Sequence, residues 1–385
     1  MDNEVEILGT TVSTEEKERK NWAIEQNKIK LFWNKGYTGK GIKVGVVDTG
    51  IQLDHPMYKG KIIDGQNFSN DGAGSSNLTS THYHGTAVTS LICGSYINYQ
   101  AYGIAPDCQI ILGKAMNNAG KGDSTAIANA ILYCVQQGAD IINCSVGCLD
   151  DTSDLRKAVD TAVKSGVSIV CASGNDGHND TDGSVREVRY PGAYGESICV
   201  GSMDAYFKIS DYSNSNEFVD IVAQGEDIIC AYPGDNYAII SGTSFATPII
   251  SGILALLKQK FRVDFQRDPS ESELYGMLLK YAREIKGVSK QMQGHGYPWP
   301  FYTQRETIEI GGDIMRIKKL YFSRTYNQWK GEPLFVEDGL ENSCLYVRML
   351  DVNFDEGAVN VVTAEFKDLN GYVHPVLAEC DCAKK

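Results

Sequence analysis

Ile42-Lys43-Val44-Gly45-Val46-Val47-Asp48-Thr49-Gly50 is an apolar run closed by an acid and a Thr-Gly turn. A short run of β-branched residues bounded by turn residues reads as a buried strand. Comparable runs recur at Ile110 to Leu112, Ile141 to Asn143, Val167 to Cys171 and Ile198 to Val200. Between them, Gly122 to Gln137 carries apolar residues at helical spacing before Gly138. Ser153 to Lys164 opens on a Ser-Asp cap signal and stops before Gly166. Strands alternating with helices of this length imply crossover connections, hence an α/β fold built on a parallel sheet. Ligands bind such sheets beyond the carboxyl ends of the strands. Asp48, Ser145 and Asn175 all fall there and are expected to share one cleft.

Outward from this core, Ile249 to Phe261 reads as a strongly apolar helix and Glu271 to Glu284 as an amphipathic one. Residues 26–290 are therefore expected to form the main domain. Residues 1–25 are polar and charged and read as an arm. Residues 291–300, rich in Gly and Pro, read as a linker. Beyond it, alternation at Ile314 to Ser323, Cys344 to Val352, Val359 to Phe366 and Tyr372 to Leu377 predicts a small β-rich module over 301–385.

Over 385 residues, hydrophobic content is 42% and charged content 22%, ordinary values for a globular protein. The formal net charge of −13 repels nucleic acid and anionic membrane surfaces, so neither is expected as a partner. The first residues carry acids where a secretory signal needs a basic region, and no long apolar stretch follows. Eleven cysteines is an odd number, and Cys93, Cys134, Cys171 and Cys199 sit singly in apolar patterns. These features lead to an expected cytoplasmic location. Cys380 and Cys382 lack a second pair or histidines at ligand spacing, so no metal site is assigned to them.

Asp48, His84 and Ser244 offer an acid, a base and a hydroxyl nucleophile, in that order along the chain. Ser244 sits where a Gly-containing turn gives way to an apolar helix, beside unpaired N–H groups. Serine needs a base within hydrogen-bond reach, a role His84 can fill with Asp48 orienting it. Each residue alone has a plainer reading. An Asp before Thr-Gly also occurs in phosphoryl-transfer sites, His84-Gly85-Thr86 can be a capping loop, and Ser244 an N-cap. Asn175 in Gly-Asn-Asp-Gly can be a turn residue. A nucleotide-binding reading fails for want of a Gly-rich phosphate loop after the first strand.

Together these residues resemble the subtilase family. The resemblance runs through about residues 25 to 290, including Val44 to Gly50, His84-Gly85-Thr86, Ala105-Pro106, Ala172-Ser173-Gly174-Asn175 and Ser241-Gly242-Thr243-Ser244. The order Asp, His, Ser separates it from chymotrypsin-like and α/β-hydrolase chains. With Phe265 to Glu273, it points toward the bacterial intracellular subtilisins. The resemblance implies a subtilisin-like doubly wound, mainly parallel sheet with helices on both faces, and a serine endopeptidase acting on peptides or proteins. By the same resemblance Asn175 donates its amide to the oxyanion, while Ser145-Val146-Gly147 and Ala172-Ser173-Gly174 pair with an extended substrate. Arg189 then lies near the floor of the S1 pocket, where it narrows the pocket or favours an acidic P1 residue; an arginine turned to solvent is the plainer alternative. Cys148 and Cys171 flank this region and read as packing thiols. Dimerisation is suggested by the resemblance alone.

The chain also departs from the family. Ala87 replaces a second histidine that is not part of the triad. Met57 stands where relatives often place an aspartate, and Ile97 near a usual asparagine, so the high-affinity calcium site reads as degraded and no cofactor is required. A weak cation site near Tyr190 to Ser202 stays open. Val5-Glu6-Ile7-Leu8-Gly9 reads as the counterpart of a short inhibitory arm that crosses the cleft. The rival function is an inactive, peptide-binding scaffold.

Overall fold

The computed structural model describes residues 6–9, 22–95, 103–177, 186–298, 309–310, 313–314, 346–355, 358–367 and 373–378. Its main sheet has seven strands: β2 (Lys43–Asp48), β3 (Ile62–Asn67), β4 (Gln109–Lys114), β5 (Ile141–Cys144), β6 (Ser168–Ala172), β7 (Ile198–Met203) and β8 (Val219–Gln224). Their order is β3-β4-β2-β5-β6-β7-β8 and every ladder is parallel. β2 lies inside the sheet and is buried from Val44 to Asp48, as its unbroken apolar run requires.

Two short helices, α1 (Trp22–Gln26) and α2 (Lys30–Trp33), precede the sheet. α3 (Tyr83–Cys93), α6 (Thr243–Phe265) and α7 (Glu271–Lys280) pack on one face. α4 (Ser124–Gln136) and α5 (Ser153–Lys164) cover the other. α4 starts where Asp123 Oδ1 accepts the Ala126 N–H at 2.8 Å. α7 starts with a capping box between Ser270 and Glu273. This is the two-sided α/β arrangement expected.

The linker expected at 291–300 is not one over its described part. Residues 290–293 form helix α8 (Lys290–Gln293), and β12 (Tyr297–Pro298) pairs with β11 (Ala282–Arg283). The glycines serve close approach rather than freedom: a Cβ on Gly294 (φ 57°) would meet Asp220 O at 2.2 Å, and one on Gly296 (φ 96°) Arg283 O at 1.8 Å. This pairing also ends α7 at Lys280, four residues before the predicted Glu284.

Strands β9 (Ile228–Tyr232) and β10 (Asn236–Ile240) form an antiparallel hairpin, and β1 (Glu6–Gly9) adds to the free side of β10. The arm residues thus pair with the strand that leads into Ser241 and Ser244. No ladder joins them to Ser145–Gly147 or Ala172–Gly174 among the described residues.

The second unit spans residues 303–385. Its described strands are β13 (Glu309–Ile310) with β14 (Asp313–Ile314), and β15 (Tyr346–Asp355), β16 (Ala358–Lys367) and β17 (Val373–Ala378) in an antiparallel sheet. Three of the four predicted strands are present, with ends that differ from the expected ones by one to three residues. The remainder of Ile314 to Ser323 lies outside the described residues.

Candidate active site

Asp48 closes β2 and is fully buried. The Thr49 N–H donates to its Oδ1 at 2.7 Å. His84 is the second residue of α3, and its Nδ1 lies 2.8 and 3.0 Å from the two Asp48 carboxylate oxygens. Against a carboxylate Nδ1 carries the proton, leaving Nε2 as the basic nitrogen. Burial lowers the basicity of this imidazole, but the charge and hydrogen bond of Asp48 outweigh it and hold His84 above its ordinary value.

The helix is fastened to the Asp48 turn. Thr49 Oγ1 accepts the Gly85 N–H at 3.1 Å, and Thr86 Oγ1 accepts the Gln52 N–H at 2.9 Å. A Cβ on Gly85 would come 2.2 Å from Gly50 O and 3.1 Å from Asp48 Oδ1. Only glycine at this position lets His84 reach its acid. The N-cap of α3 is His82, whose Nδ1 accepts the His84 N–H at 3.3 Å. Sequence inspection missed it, because histidine is not among the usual capping residues.

Ser244 lies in the first turn of α6, after Gly242 (φ 155°). Its hydroxyl donates to Ser145 O at 3.0 Å, and the Ser145 hydroxyl donates to Ser244 O at 2.8 Å. Pro248 has no N–H to offer the carbonyl four residues back, so Ser244 O is left open for Ser145. The ring of Phe245 lies 5.5 Å from that of His84, which brings the imidazole to the residue next to Ser244.

Asn175 is exposed at the end of the β6 loop. Its Oδ1 accepts both the N–H and the hydroxyl of Thr243, at 2.9 and 2.8 Å. With Oδ1 so engaged, Nδ2 is the face of the amide available to a ligand. It stands 3.3 Å from where a Gly242 Cβ would lie.

Ser145 and Val146 follow β5 and are buried, whereas Gly147 is exposed. Cys148 and Tyr190 exchange two backbone hydrogen bonds of 2.8 Å just beyond. Ala172 ends β6 and Ser173 follows it, its N–H held by Val200 O at 2.9 Å. Arg189 runs between the two segments: a Cβ on Gly147 would lie 3.3 Å from Arg189 Cβ, and one on Gly174 (φ 111°) 2.7 Å from Arg189 Cγ. Its guanidinium grips Asp176, with Nε to Oδ2 at 2.6 Å and Nη2 to Oδ1 at 2.5 Å. Hydrogen bonding from Arg189 holds the Asp176 carboxyl below its usual range, against the effect of burial. The arginine is thus neither an unpaired cation nor a side chain turned to solvent.

Met57 is fully buried and its Cε packs at Gly94. Ile97 and the rest of 96–102 lie outside the described residues. Among the described residues no three His, Cys, Asp or Glu side chains converge as a metal would need, and no helix is long and apolar enough to cross a membrane.

The family model described as "Subtilase family" matches residues 39–296. The chain is 40% identical over 274 residues to an intracellular serine protease of Paenibacillus polymyxa, covering 71% of this chain and 83% of that protein. It is also 40% identical over 268 residues to the major intracellular serine protease of Bacillus subtilis (strain 168), covering 69% and 83%. Against thermitase of Thermoactinomyces vulgaris the identity is 34% over 250 residues, or 65% and 84%.

Proposed function

The chain belongs to the subtilase family, and from that premise we propose that it is a serine endopeptidase working through Asp48, His84 and Ser244. The observation that carries this reading is the 2.8 Å contact between His84 and buried Asp48, set against the helix turn that bears Ser244.

In the reaction, Ser244 Oγ leaves its bond to Ser145 O, passes its proton to His84 Nε2 and bonds to the scissile carbonyl carbon. Asp48 stabilises the imidazolium without taking the proton. The oxyanion accepts hydrogen bonds from Asn175 Nδ2 and the Ser244 N–H. On collapse the C–N bond breaks, and His84 returns its proton to the leaving amine. Water then attacks the ester, gives a proton to His84 and releases the acid, restoring Ser244. The substrate backbone lies as a strand between Ser145–Gly147 and Ala172–Gly174.

No cofactor enters these steps, and the apolar packing of Met57 supports a chain that does without calcium at that corner. The intracellular names of the two relatives support a cytoplasmic location. Labelling with a fluorophosphonate probe tests the reading. Wild-type protein is expected to label and Ser244→Ala to stay blank; failure of the wild type to label at all would make the chain a peptide-binding scaffold.

A further inference from the structure

We propose that His82 is a positioning residue for His84: its neutral imidazole holds the first turn of α3, and its protonation releases that turn and adds a second proton to the acid limb of peptidase activity. This rests on the reading of His84 as the general base.

The N–H groups of a helix's first turn have no partner within the helix. Here the His84 N–H finds His82 Nδ1 at 3.3 Å. An imidazole accepts at Nδ1 only while its single proton sits on Nε2; the imidazolium carries N–H at both positions. Protonation therefore sets N–H against N–H and puts a cation at the positive end of the helix dipole. The disturbance falls on the one residue whose ring must keep its 2.8 Å register with Asp48.

The cap is itself held in place. Ser80 Oγ accepts the His82 N–H at 3.0 Å, and Asn118 Oδ1 accepts the Ser80 hydroxyl at 3.0 Å. The His82 ring stacks on Tyr83 at 5.0 Å and 17°, and Tyr83 stacks on Tyr232 of β9 at 5.6 Å and 15°. From the 117–122 loop Gly120 faces the ring, with its Cβ position 3.0 Å from Nε2. Among the described contacts, the titratable groups that face His82 include Tyr83 and His84 of α3, with Tyr232 of β9 behind Tyr83. Asp48 lies beyond His84, and Asn118 and Gly120 bear no charge. The two imidazoles stand 6.3 Å apart, close enough for their protons to come off as a coupled pair.

The test compares His82→Asn, which caps without titrating, and His82→Ala, which does neither, by kcat/KM on a chromogenic peptide from pH 5 to 8. The wild type is expected to fall with a slope steeper than one proton, and His82→Asn with a slope of one. His82→Ala is expected to lose about tenfold in kcat at pH 8, and His82→Asn to recover most of it. Superimposable acid limbs for wild type and His82→Asn, or equal profiles for the two variants, overturn the proposal. A second readout needs no turnover: in Ser244→Ala protein the His84 amide resonance is expected to move with the His82 ring titration. An amide that stays still overturns the cap. If fluorophosphonate never labels the wild type, the peptidase reading falls while this titration still decides the cap.

Discussion

Ser145 and Ser244 bind each other twice, each hydroxyl donating to the other's carbonyl at 2.8 and 3.0 Å. The pair joins the substrate-edge loop after β5 to the helix that begins at the nucleophile. It exists because Pro248 leaves Ser244 O without a helical donor.

Ser145→Ala should leave that carbonyl unsatisfied, at a cost of about 1–3 kcal/mol. Pro248→Ala restores a backbone N–H, so it should stabilise the Ser145→Ala protein more than it stabilises the parent. Thermal midpoints of the four proteins, all made inactive by Ser244→Ala, give the coupling; strict additivity refutes it.

Among the described residues, Thr243 orients Asn175 through two hydrogen bonds to its Oδ1. Asn175→Ala should lower kcat by about 10²–10³ with little change in KM, the known size of this effect in subtilisin. Thr243→Val removes one of the two donors to Oδ1 and should give a smaller loss of the same kind. Steady-state kinetics on one peptide separates them.

Because Asp176 neutralises Arg189, the parent should show no marked preference for acidic P1 residues. Asp176→Asn frees the guanidinium and should raise kcat/KM for Glu at P1 about tenfold relative to Leu. Arg189→Ala widens the space between Gly147 and Gly174 and should favour large apolar P1 residues. A P1 library on the three proteins reads both effects, and an unchanged ranking in Asp176→Asn rejects the first.

Asp220 is held by the Cys199 N–H and the Tyr275 hydroxyl, at 2.8 and 2.5 Å. Burial pushes its carboxyl up to about 6, against these hydrogen bonds, and also raises Glu271. A carboxyl raised above its unfolded value near 3.9 binds protons in the native state first. Stability should therefore increase as pH falls from about 6 to 4, by on the order of 2 kcal/mol from Asp220. In Asp220→Asn that part of the slope should vanish, as urea midpoints across this window would report.

Five of the seven strands of the main sheet were legible as local apolar runs, and their carboxyl ends located Asp48, Ser145 and Asn175. β3 (Ile62–Asn67) was not, because its Ile-Ile-Asp-Gly-Gln-Asn stretch is a half-exposed edge strand, nor was β8 (Val219–Gln224), whose apolar residues are broken by Asp220. What stayed hidden depends on distant partners. The Arg189–Asp176 pair spans thirteen residues, and the cap on His84 is a side-chain bond from an unusual residue. Gly294 and Gly296 looked like linker residues because composition cannot distinguish a glycine that needs freedom from one that needs to touch a backbone.

The seat of β1 sets an order of assembly. Glu6 pairs with Ile239, about 230 residues further along the chain. On a ribosome adding roughly 5–20 residues per second, the partner strand emerges some ten to fifty seconds after the arm. β1 is thus seated only after β10, about 230 residues later, has been made. Its docking reports that the chain has been synthesised to the threshold of Ser244.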